Sequence, residues 1–462
     1  MGARVFRPGV FESGKGTEPT PMSWSTDPAA GRQTRAPNPT LRYAIFQKVN
    51  KTILVIGGGI AGLSAALELL REGCAVTLLE AKDRFGGRIQ TIQSGSLPVE
   101  LGAEFVHGRS KALLGVIGAA GLSLQSVALG NQLFENGKLE EVDLWDRIGE
   151  IINRVKPREP DCSFREFLDA KKLDPRSRRL ATGFVEGFDA ADTERISAHA
   201  LLRAQQASEQ MQGDEQARIK EGYSALVRFL EKEIRARGGK LVTGAVARNI
   251  RWSHGRVEID VEQGSHTELF SAEAVIVTVS LGVLKTGTLQ FDPPFAEKQA
   301  AINQLQFGNV VKISLLFPEP FWPDDFGFIH ALHESIPTWW SDPRGPVITG
   351  WAGGAKAERL LAQSPSQLES LALEILGKIF HQTSFRQRLK AFHNYNWARD
   401  PHVHGAYSYI PVNGLDLPDL LAAPVEGTLF FAGEATVSDA QTGTVFGALE
   451  AGLRAAREVA NK

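Results

Sequence analysis

A short apolar run that leads directly into closely spaced glycines constrains this chain most. The run is Ile53–Ile56, and Gly57, Gly59 and Gly62 follow it with G-x-G-x-x-G spacing. Apolar residues then recur at helical spacing, and a second apolar run ends in an acid, Glu80. This order predicts a strand, a tight turn, a helix and a second strand, with Glu80 placed to accept hydrogen bonds from a ribose. The sequence therefore predicts a dinucleotide site whose phosphates lie at a helix N-terminus.

The segment after Glu80 narrows the choice of dinucleotide. Two more glycines and an arginine, Gly86, Gly87 and Arg88, follow the ribose-binding acid. Glycines permit close approach of the backbone to a ligand, and an arginine can neutralise phosphate charge. This stretch resembles the second FAD motif of the flavin-containing amine oxidase superfamily, which includes monoamine oxidases, polyamine oxidases and flavin-type lysine demethylases.

Further motifs extend this resemblance from about Lys51 to the C-terminus. They are Glu100–Gly108, Ala274–Leu284, Phe430–Thr436 and Gly443–Gly452. Several ordered motifs over most of a chain are more specific than any one glycine fingerprint. The resemblance implies an α/β fold in which a discontinuous, Rossmann-like FAD-binding domain is joined to a mixed α+β substrate domain.

The domain boundaries follow from where these motifs fall. The FAD-binding domain is expected in residues 49–125, 222–300 and 400–462, and the substrate domain in residues 126–221 and 301–399. Residues 1–48 are rich in Gly, Pro, Ser and Thr, and we expect a disordered N-terminal extension there.

The resemblance also implies which residues contact FAD. Besides the three fingerprint glycines and Glu80, the expected cofactor-binding residues are Gly87, Arg88, Gly102, Ala103, Val246, Trp397, Gly433, Glu434 and Thr444. Glu434 is expected to open a long helix that ends near Val459, with its N-terminus facing the cofactor.

Lys312 is the first candidate for catalysis. Alternation along its predicted strand places it on the opposite face from Val311 and Ile313. From the pattern alone, a lysine on a solvated face is as well supported as a functional one. The resemblance implies that this lysine reaches the flavin N5 through a water molecule, where its charge can assist the reduction of oxygen.

Tyr407, Thr444 and His107 are the other candidates for catalysis or substrate binding. Monoamine oxidases attach the flavin to a cysteine, and Ala406 stands at that position, so FAD is expected to be non-covalent. Those enzymes also hold the amine between two tyrosines. The resemblance implies that Thr444 occupies the position of the second tyrosine, opposite Tyr407, as in polyamine oxidases and lysine demethylases. His107 resembles a histidine in the polyamine oxidase pocket, although a lone histidine is equally typical of a structural role.

Composition excludes several other classes. The 462 residues carry a formal net charge of −2, so no global field favours nucleic acid or an anionic membrane. Cys74 and Cys162 form no disulfide scaffold and no metal-ligating pattern, and no metal site is expected. No apolar run has transmembrane length. We expect a cytoplasmic protein, with organelle targeting by the N-terminal extension left open.

The expected reaction is oxidation of a C–N bond in an aliphatic amine or polyamine. A hydride equivalent passes to flavin N5, the imine is hydrolysed, and oxygen yields hydrogen peroxide. The expected partners are a small amine and O2, and the sequence indicates no protein partner. An L-amino-acid oxidase, a carotenoid-type desaturase and a non-catalytic module stabilised by FAD remain as alternatives.

Overall fold

The computed structural model describes residues 51–127, 130–323, 326–439 and 441–461. The extension expected at residues 1–48 lies outside the described residues. The strands are β1 Thr52–Ile56, β2 Ala75–Leu79, β3 Thr91–Ser94, β4 Leu97–Glu100, β5 Val106–His107, β6 Leu124–Ser126, β7 Asn131–Glu135, β8 Lys138–Glu141, β9 Gln216–Ile219, β10 Lys240–Val242, β11 Val246–Ser253, β12 Arg256–Gln263, β13 His266–Ala272, β14 Ala274–Val277, β15 Gln290–Asp292, β16 Gln306–Gly308, β17 Val310–Leu316, β18 Phe328–His330, β19 Thr338–Ser341, β20 Val347–Gly353, β21 Ala391–Asn394, β22 Tyr407–Tyr409 and β23 Leu429–Phe431.

The helices alternate with these strands along the chain. They are α1 Ile60–Arg71, α2 Lys111–Ala119, α3 Leu144–Ile152, α4 Phe164–Ala170, α5 Pro175–Phe188, α6 Ala198–Gln210, α7 Ser224–Ala236, α8 Leu281–Thr286, α9 Ala296–Gln304, α10 Gly354–Leu360, α11 Pro365–Phe380, α12 Phe385–Arg388, α13 Leu417–Ala422 and α14 Val445–Ala460. Two short 3₁₀ turns lie at Trp397–Arg399 and Glu434–Thr436. No helix in the described ranges is long and apolar enough to cross a membrane.

A five-stranded parallel sheet in the order β10-β2-β1-β14-β23 forms the centre of the cofactor-binding half. Both faces of β1 are buried: Ile53 and Val55 lie in one apolar cluster, and Leu54 and Ile56 lie in another. This explains why the strand is a continuous apolar run rather than an alternating one. The predicted strand, helix and strand of the glycine fingerprint are confirmed as β1, α1 and β2.

The same sheet collects strands from distant parts of the chain. Its members come from residues 52–79, 240–277 and 429–431. A second sheet of seven strands, β21-β17-β20-β19-β18-β7-β8, takes its members from residues 131–141 and 310–394. The α/β fold class is confirmed, whereas the domain boundaries stay a prediction.

The expected helix start at Glu434 is wrong. Glu434 lies in a 3₁₀ turn of three residues, and the long helix α14 begins at Val445. The chain enters the 3₁₀ turn through Gly433 at φ 135°, a conformation that favours glycine. Thr444 is the N-cap of α14, because its side chain accepts a hydrogen bond from the amide of Gly447.

Helices α1 and α14 approach each other closely at Gly452, which yields a stability prediction. A Cβ atom at Gly452 would lie 2.2 Å from Ala61 O and 2.3 Å from Ser64 Oγ. We expect Gly452→Ala to lower the free energy of unfolding by about 1–3 kcal/mol through overpacking. Thermal unfolding of the purified protein measures the change as a lower midpoint temperature.

Gly115→Ala in α2 is the matched control for this prediction. It makes the same substitution inside a helix, but nothing lies within 4 Å of the added Cβ. Alanine should therefore stabilise α2 by up to about 1 kcal/mol. Equal midpoints for the two variants would show that the helix contact at Gly452 does not limit stability.

Candidate active site

A cavity of about 610 Å³ opens at the carboxyl ends of the parallel strands. Ile56, Leu79 and Thr278 line it where β1, β2 and β14 end. Parallel α/β sheets bind ligands at this edge, because the loops that follow the strands diverge there. From this edge the cavity continues into a region with aromatic walls.

The glycine fingerprint fits a dinucleotide. A Cβ atom at Gly59 would meet no atom within 4 Å, so the backbone there borders open space. Gly59 is the N-cap of α1 and provides no side-chain cap, which leaves first-turn amides free for phosphate oxygens. Gly62 does not line the cavity. A Cβ there would lie 1.9 Å from Gly57 O, so this glycine allows the turn to pack closely.

Glu80 lies buried at the end of β2. Its Oε2 accepts a hydrogen bond from the amide of Gly58 at 2.5 Å, and its Oε1 accepts one from Lys82 N at 2.9 Å. Burial raises the pKa of Glu80, and these two hydrogen bonds oppose the shift. Each oxygen keeps a second lone pair and Glu80 lines the cavity, so its carboxylate can also accept a hydrogen bond from a ribose hydroxyl.

Arg88 is held by a carboxylate from the far end of the chain. Its Nη1 donates to Glu434 Oε1 at 2.9 Å and to Ala406 O at 2.6 Å. Glu434 Oε2 accepts hydrogen bonds from Ser408 Oγ at 2.6 Å and from Gly443 N at 3.0 Å. The charge of Arg88 is thus matched inside the protein, and its expected contact with phosphate stays a prediction.

The structure brings most of the expected cofactor residues to one cavity. Those that line it, in addition to the ones described above, are Gly57, Gly87, Gly102, Ala103, Val246, Trp397, Gly433 and Thr444. Trp397 donates from Nε1 to Leu101 O at 2.9 Å, which fixes its ring beside Gly102. Their individual roles toward FAD stay predictions.

Lys312 is buried, which excludes the alternative that its side chain lies on a strand face open to solvent. Its Nζ lies 2.6 Å from Glu104 Oε2 and donates to Gly102 O at 3.0 Å. Glu104 lies within the Glu100–Gly108 motif, but the sequence did not predict this ion pair. The available signal was an acid set among apolar neighbours, Ala103 and Phe105, where a solvated acid is not expected.

Tyr407 and Thr444 both line the cavity, but their hydroxyl groups already have partners. The Tyr407 hydroxyl donates to Phe188 O at 2.8 Å. The Thr444 hydroxyl donates to Gln441 O at 2.9 Å while it caps α14. The ring of Tyr407 lies over Gly443, where a Cβ would come within 2.7 Å of Cδ2. Their expected parts in catalysis stay predictions.

Three polar side chains on the wall have buried atoms without a hydrogen-bond partner in the described structure. The atoms are His107 Nδ1, Asp189 Oδ2 and Gln216 Oε1. Burial lowers the pKa of His107 to about 4, so the ring is neutral near pH 7. Burial raises the pKa of Asp189 to about 7. Buried polar atoms without a protein partner on a cavity wall are candidates to hydrogen-bond a ligand.

Sequence reasoning found His107 but missed the other two side chains. Asp189 follows α5 in an inserted helical segment without a motif, and Gln216 is recognisable only through its pairing with His107 across β5 and β9. Aromatic rings supply much of the remaining wall: Phe105, Trp145, Phe184, Phe188, Phe328, Trp340, Trp351 and Tyr407. In the described ranges, no group of His, Cys, Asp and Glu side chains could hold a metal ion.

Comparison with known proteins identifies the family. The family model described as flavin containing amine oxidoreductase matches residues 60–174 and 157–460, and this chain belongs to that family. Polyamine oxidase 2 of Arabidopsis thaliana is 32% identical over 88% of this chain and 87% of its own length. Lysine-specific histone demethylase 1 homolog 2 of the same plant is 28% identical over 88% of this chain and 58% of its own length.

Solved structures share the fold. A putrescine oxidase bound to putrescine superposes with a TM-score of 0.77 at 17% identity, covering 89% of this chain and 99% of its own. Cyclohexylamine oxidase from Brevibacterium oxydans gives 0.76 at 20% identity with the same coverage. The family match, together with the 32% identical polyamine oxidase, identifies the protein as an FAD-dependent oxidoreductase that acts on amines.

Glu80 provides a prediction for cofactor binding. In Glu80→Gln, a neutral amide replaces a charged acceptor of about the same shape. A hydrogen bond to a charged group contributes about 1.5–3 kcal/mol, so FAD should bind roughly 10- to 150-fold more weakly. Titration of apoprotein with FAD, followed by flavin fluorescence, measures this. Glu72→Gln, at an exposed glutamate just after α1, should leave the affinity unchanged.

Proposed function

We propose that this enzyme oxidises an aliphatic diamine or polyamine with non-covalent FAD and releases hydrogen peroxide. One observation supports this proposal most directly. Oδ2 of the Asp189 carboxylate is buried on the wall of an aromatic cavity and has no hydrogen-bond partner among the described residues. A buried carboxylate with no counter-ion is costly, and a cationic ligand offsets that cost.

The rest of the cavity suits a chain that carries more than one nitrogen. Aromatic faces attract ammonium groups, and Phe188 and Tyr407 flank the Asp189 position. His107 and Gln216 lie side by side in paired strands and offer further positions for an N–H group. Three polar side chains on one cavity wall support a substrate that carries more than one nitrogen.

The cations of the same cavity argue against an amino-acid substrate. Such a substrate requires a free cation for its carboxylate. Each lysine and arginine on the described wall is already paired with an acid: Lys82 with Asp400, Arg88 with Glu434, Arg248 with Glu262 and Lys312 with Glu104. The described part of the cavity thus offers an unpaired anion and paired cations.

The protein groups bind and orient the amine, while the cofactor performs the redox step. When bound, FAD would provide the acceptor for the hydride removed from the α-carbon of the neutral amine, with O2 as the final two-electron acceptor that becomes hydrogen peroxide. Asp189 holds one ammonium group, so that a second, deprotonated nitrogen is presented for oxidation. Water adds to the resulting iminium, which gives an aldehyde and the released amine.

A panel of amines tests the substrate class. We expect kcat/KM to be higher for spermidine and N-acetylspermine than for benzylamine and phenylethylamine. Peroxide release measures all four. If kcat/KM for an aromatic amine exceeds that for the polyamines by about tenfold, or about 1.4 kcal/mol in transition-state binding, the polyamine assignment is refuted. Failure of the flavin to be reduced by any amine would favour a non-catalytic module, and turnover of L-amino acids would favour an amino-acid oxidase.

Asp189 gives a prediction that depends on pH. The fraction of ionised Asp189 rises as pH increases through about 7, so affinity for a cation should rise over the same interval. An alkyl bisguanidine is a suitable probe because its charge does not change there. Asp189→Asn should remove this pH dependence and weaken binding by roughly 10- to 150-fold above about pH 8. The flavin absorbance change on binding measures both effects.

The control for this experiment is Asp192→Asn, at a half-exposed acid outside the cavity wall. It should bind the probe like the wild type. The folded-state pKa of Asp189 is raised to about 7, so its charge costs stability, which is lost as pH rises from about 4 to about 7. Asp189→Asn should therefore remain folded. A pH dependence that persists in this variant would show that another group binds the cation.

The attachment of the flavin is tested separately. Ala406 lines the cavity and carries no thiol that could bond to the flavin. Acid precipitation of the holoenzyme should release all the yellow colour into the supernatant. Flavin retained in the washed pellet would contradict non-covalent binding, whatever the substrate proves to be.

A further inference from the structure

Glu104 lies buried between two cations on the cavity wall. Its Oε2 is 2.6 Å from Lys312 Nζ. Its Oε1 is 2.7 Å from Nη2 of Arg218 and accepts a hydrogen bond from Arg218 Nε at 2.8 Å. Trp340 Nε1 donates to the same oxygen at 3.0 Å. The exposed fractions are 7% for Glu104, 4% for Lys312 and 0% for Arg218.

We propose that Glu104 is a positioning residue that keeps Lys312 protonated on the cavity wall, and that Arg218 and Trp340 hold Glu104 in place. This inference rests on the proposed position of Lys312 beside the flavin. Burial favours the neutral form of a lysine, and a second buried cation nearby disfavours its charge further. A carboxylate between the two cations opposes both effects.

Further charged and polar groups lie on the elements around Glu104, Lys312 and Arg218. The titratable, charged or polar groups on the neighbouring elements are Glu100 at the end of β4, Arg344 after β19, Trp351 on β20, and His393 and Asn394 on β21. Asn394 Nδ2 donates to Lys312 O at 2.8 Å, so it contacts the backbone rather than the ammonium group. His393 Nε2 is 2.9 Å from Ser94 Oγ.

Glu100 and Glu104 differ in the pH range over which their carboxyl groups are ionised. Burial raises the pKa of Glu100 to about 7, although Lys312 and Arg344 oppose the shift. Burial also acts to raise the pKa of Glu104, but Lys312 and Arg218 outweigh it and hold that pKa at about 2. Glu104 therefore remains an anion across the neutral range, whereas Glu100 does not, and Glu104 is the lasting counter-ion of the lysine.

The first test measures stability and does not involve the reaction. In Glu104→Gln, two buried cations lose their anion, and Lys312 should give up its proton in the folded state. The unfolded chain then binds more protons than the folded one, so stability rises with pH. The deficit in midpoint temperature relative to wild type should shrink between about pH 7 and about pH 9.5. In a Lys312→Met background, the same substitution should cause a deficit that is independent of pH.

The second test measures the flavin without an amine. Holoenzyme is reduced with dithionite, freed of excess reagent and mixed with oxygenated buffer over a range of pH. In Glu104→Gln we expect reoxidation to slow by about tenfold or more as pH rises, because a charged group beside the reacting centre is lost. Wild type and Glu104→Asp should lack this decline. Because no amine is used, the result is independent of the substrate proposal.

A second variant covers the case in which Glu104→Gln does not fold. The double variant Glu104→Gln, Arg218→Met removes the anion and one cation together. Of the three charged groups Glu104, Lys312 and Arg218, only Lys312 then remains. Burial should still favour its neutral form, and the same pH dependence of stability and reoxidation is expected. If either folded variant shows a deficit that does not vary with pH and a flat reoxidation profile, Glu104 does not control the charge of Lys312.

Discussion

The carboxylate of Glu434 is the contact on which the cavity most depends. It joins Arg88, which follows the glycine fingerprint, to Ser408 on β22 and to Gly443 before α14. Arg88 is 346 residues away from Glu434 in the sequence. A buried charge with several hydrogen bonds is strongly destabilising when its partners are lost. The wall of the cofactor site is therefore held together by contacts between Arg88 and the segment from Ser408 to Gly443.

Charge inside the cavity follows a consistent arrangement. The lysines and arginines on its described wall are paired with acids, whereas the Asp189 carboxylate has no partner. Burial increases the energetic effect of both the ion pairs and the unpaired carboxylate, because the protein interior strengthens attraction between opposite charges and penalises an isolated charge. Under the proposed function, Asp189 is where the external cation binds. The four lysines and arginines on the described wall already have acidic partners, which supports the proposal that the substrate is an amine without a carboxylate.

The sequence predicted what depends on local pattern. Buried strands, tight turns and amphipathic helices repeat over a few residues, so β1, α1 and β2 could be placed, and the family motifs located the cavity. Contacts between distant residues could not be predicted. Glu104 and Arg218 are 114 positions apart and meet only because the chain folds β9 against β5. Asp189 belongs to no motif and becomes recognisable only once its surroundings are known.

The wrong helix start has a similar cause. An acid after a strand is typical of the first turn of a helix. Here Gly433 leads into a 3₁₀ turn at Glu434–Thr436, and the helix α14 begins only after its N-cap, Thr444. Thr444 also has a consequence for how this pocket could evolve. The same side chain shapes the cavity wall and caps a helix, and loss of a threonine cap costs about 1 kcal/mol. A lineage that acquires a tyrosine there to grip a small aromatic amine must first gain stability elsewhere, so specificity and fold are tied together at one position.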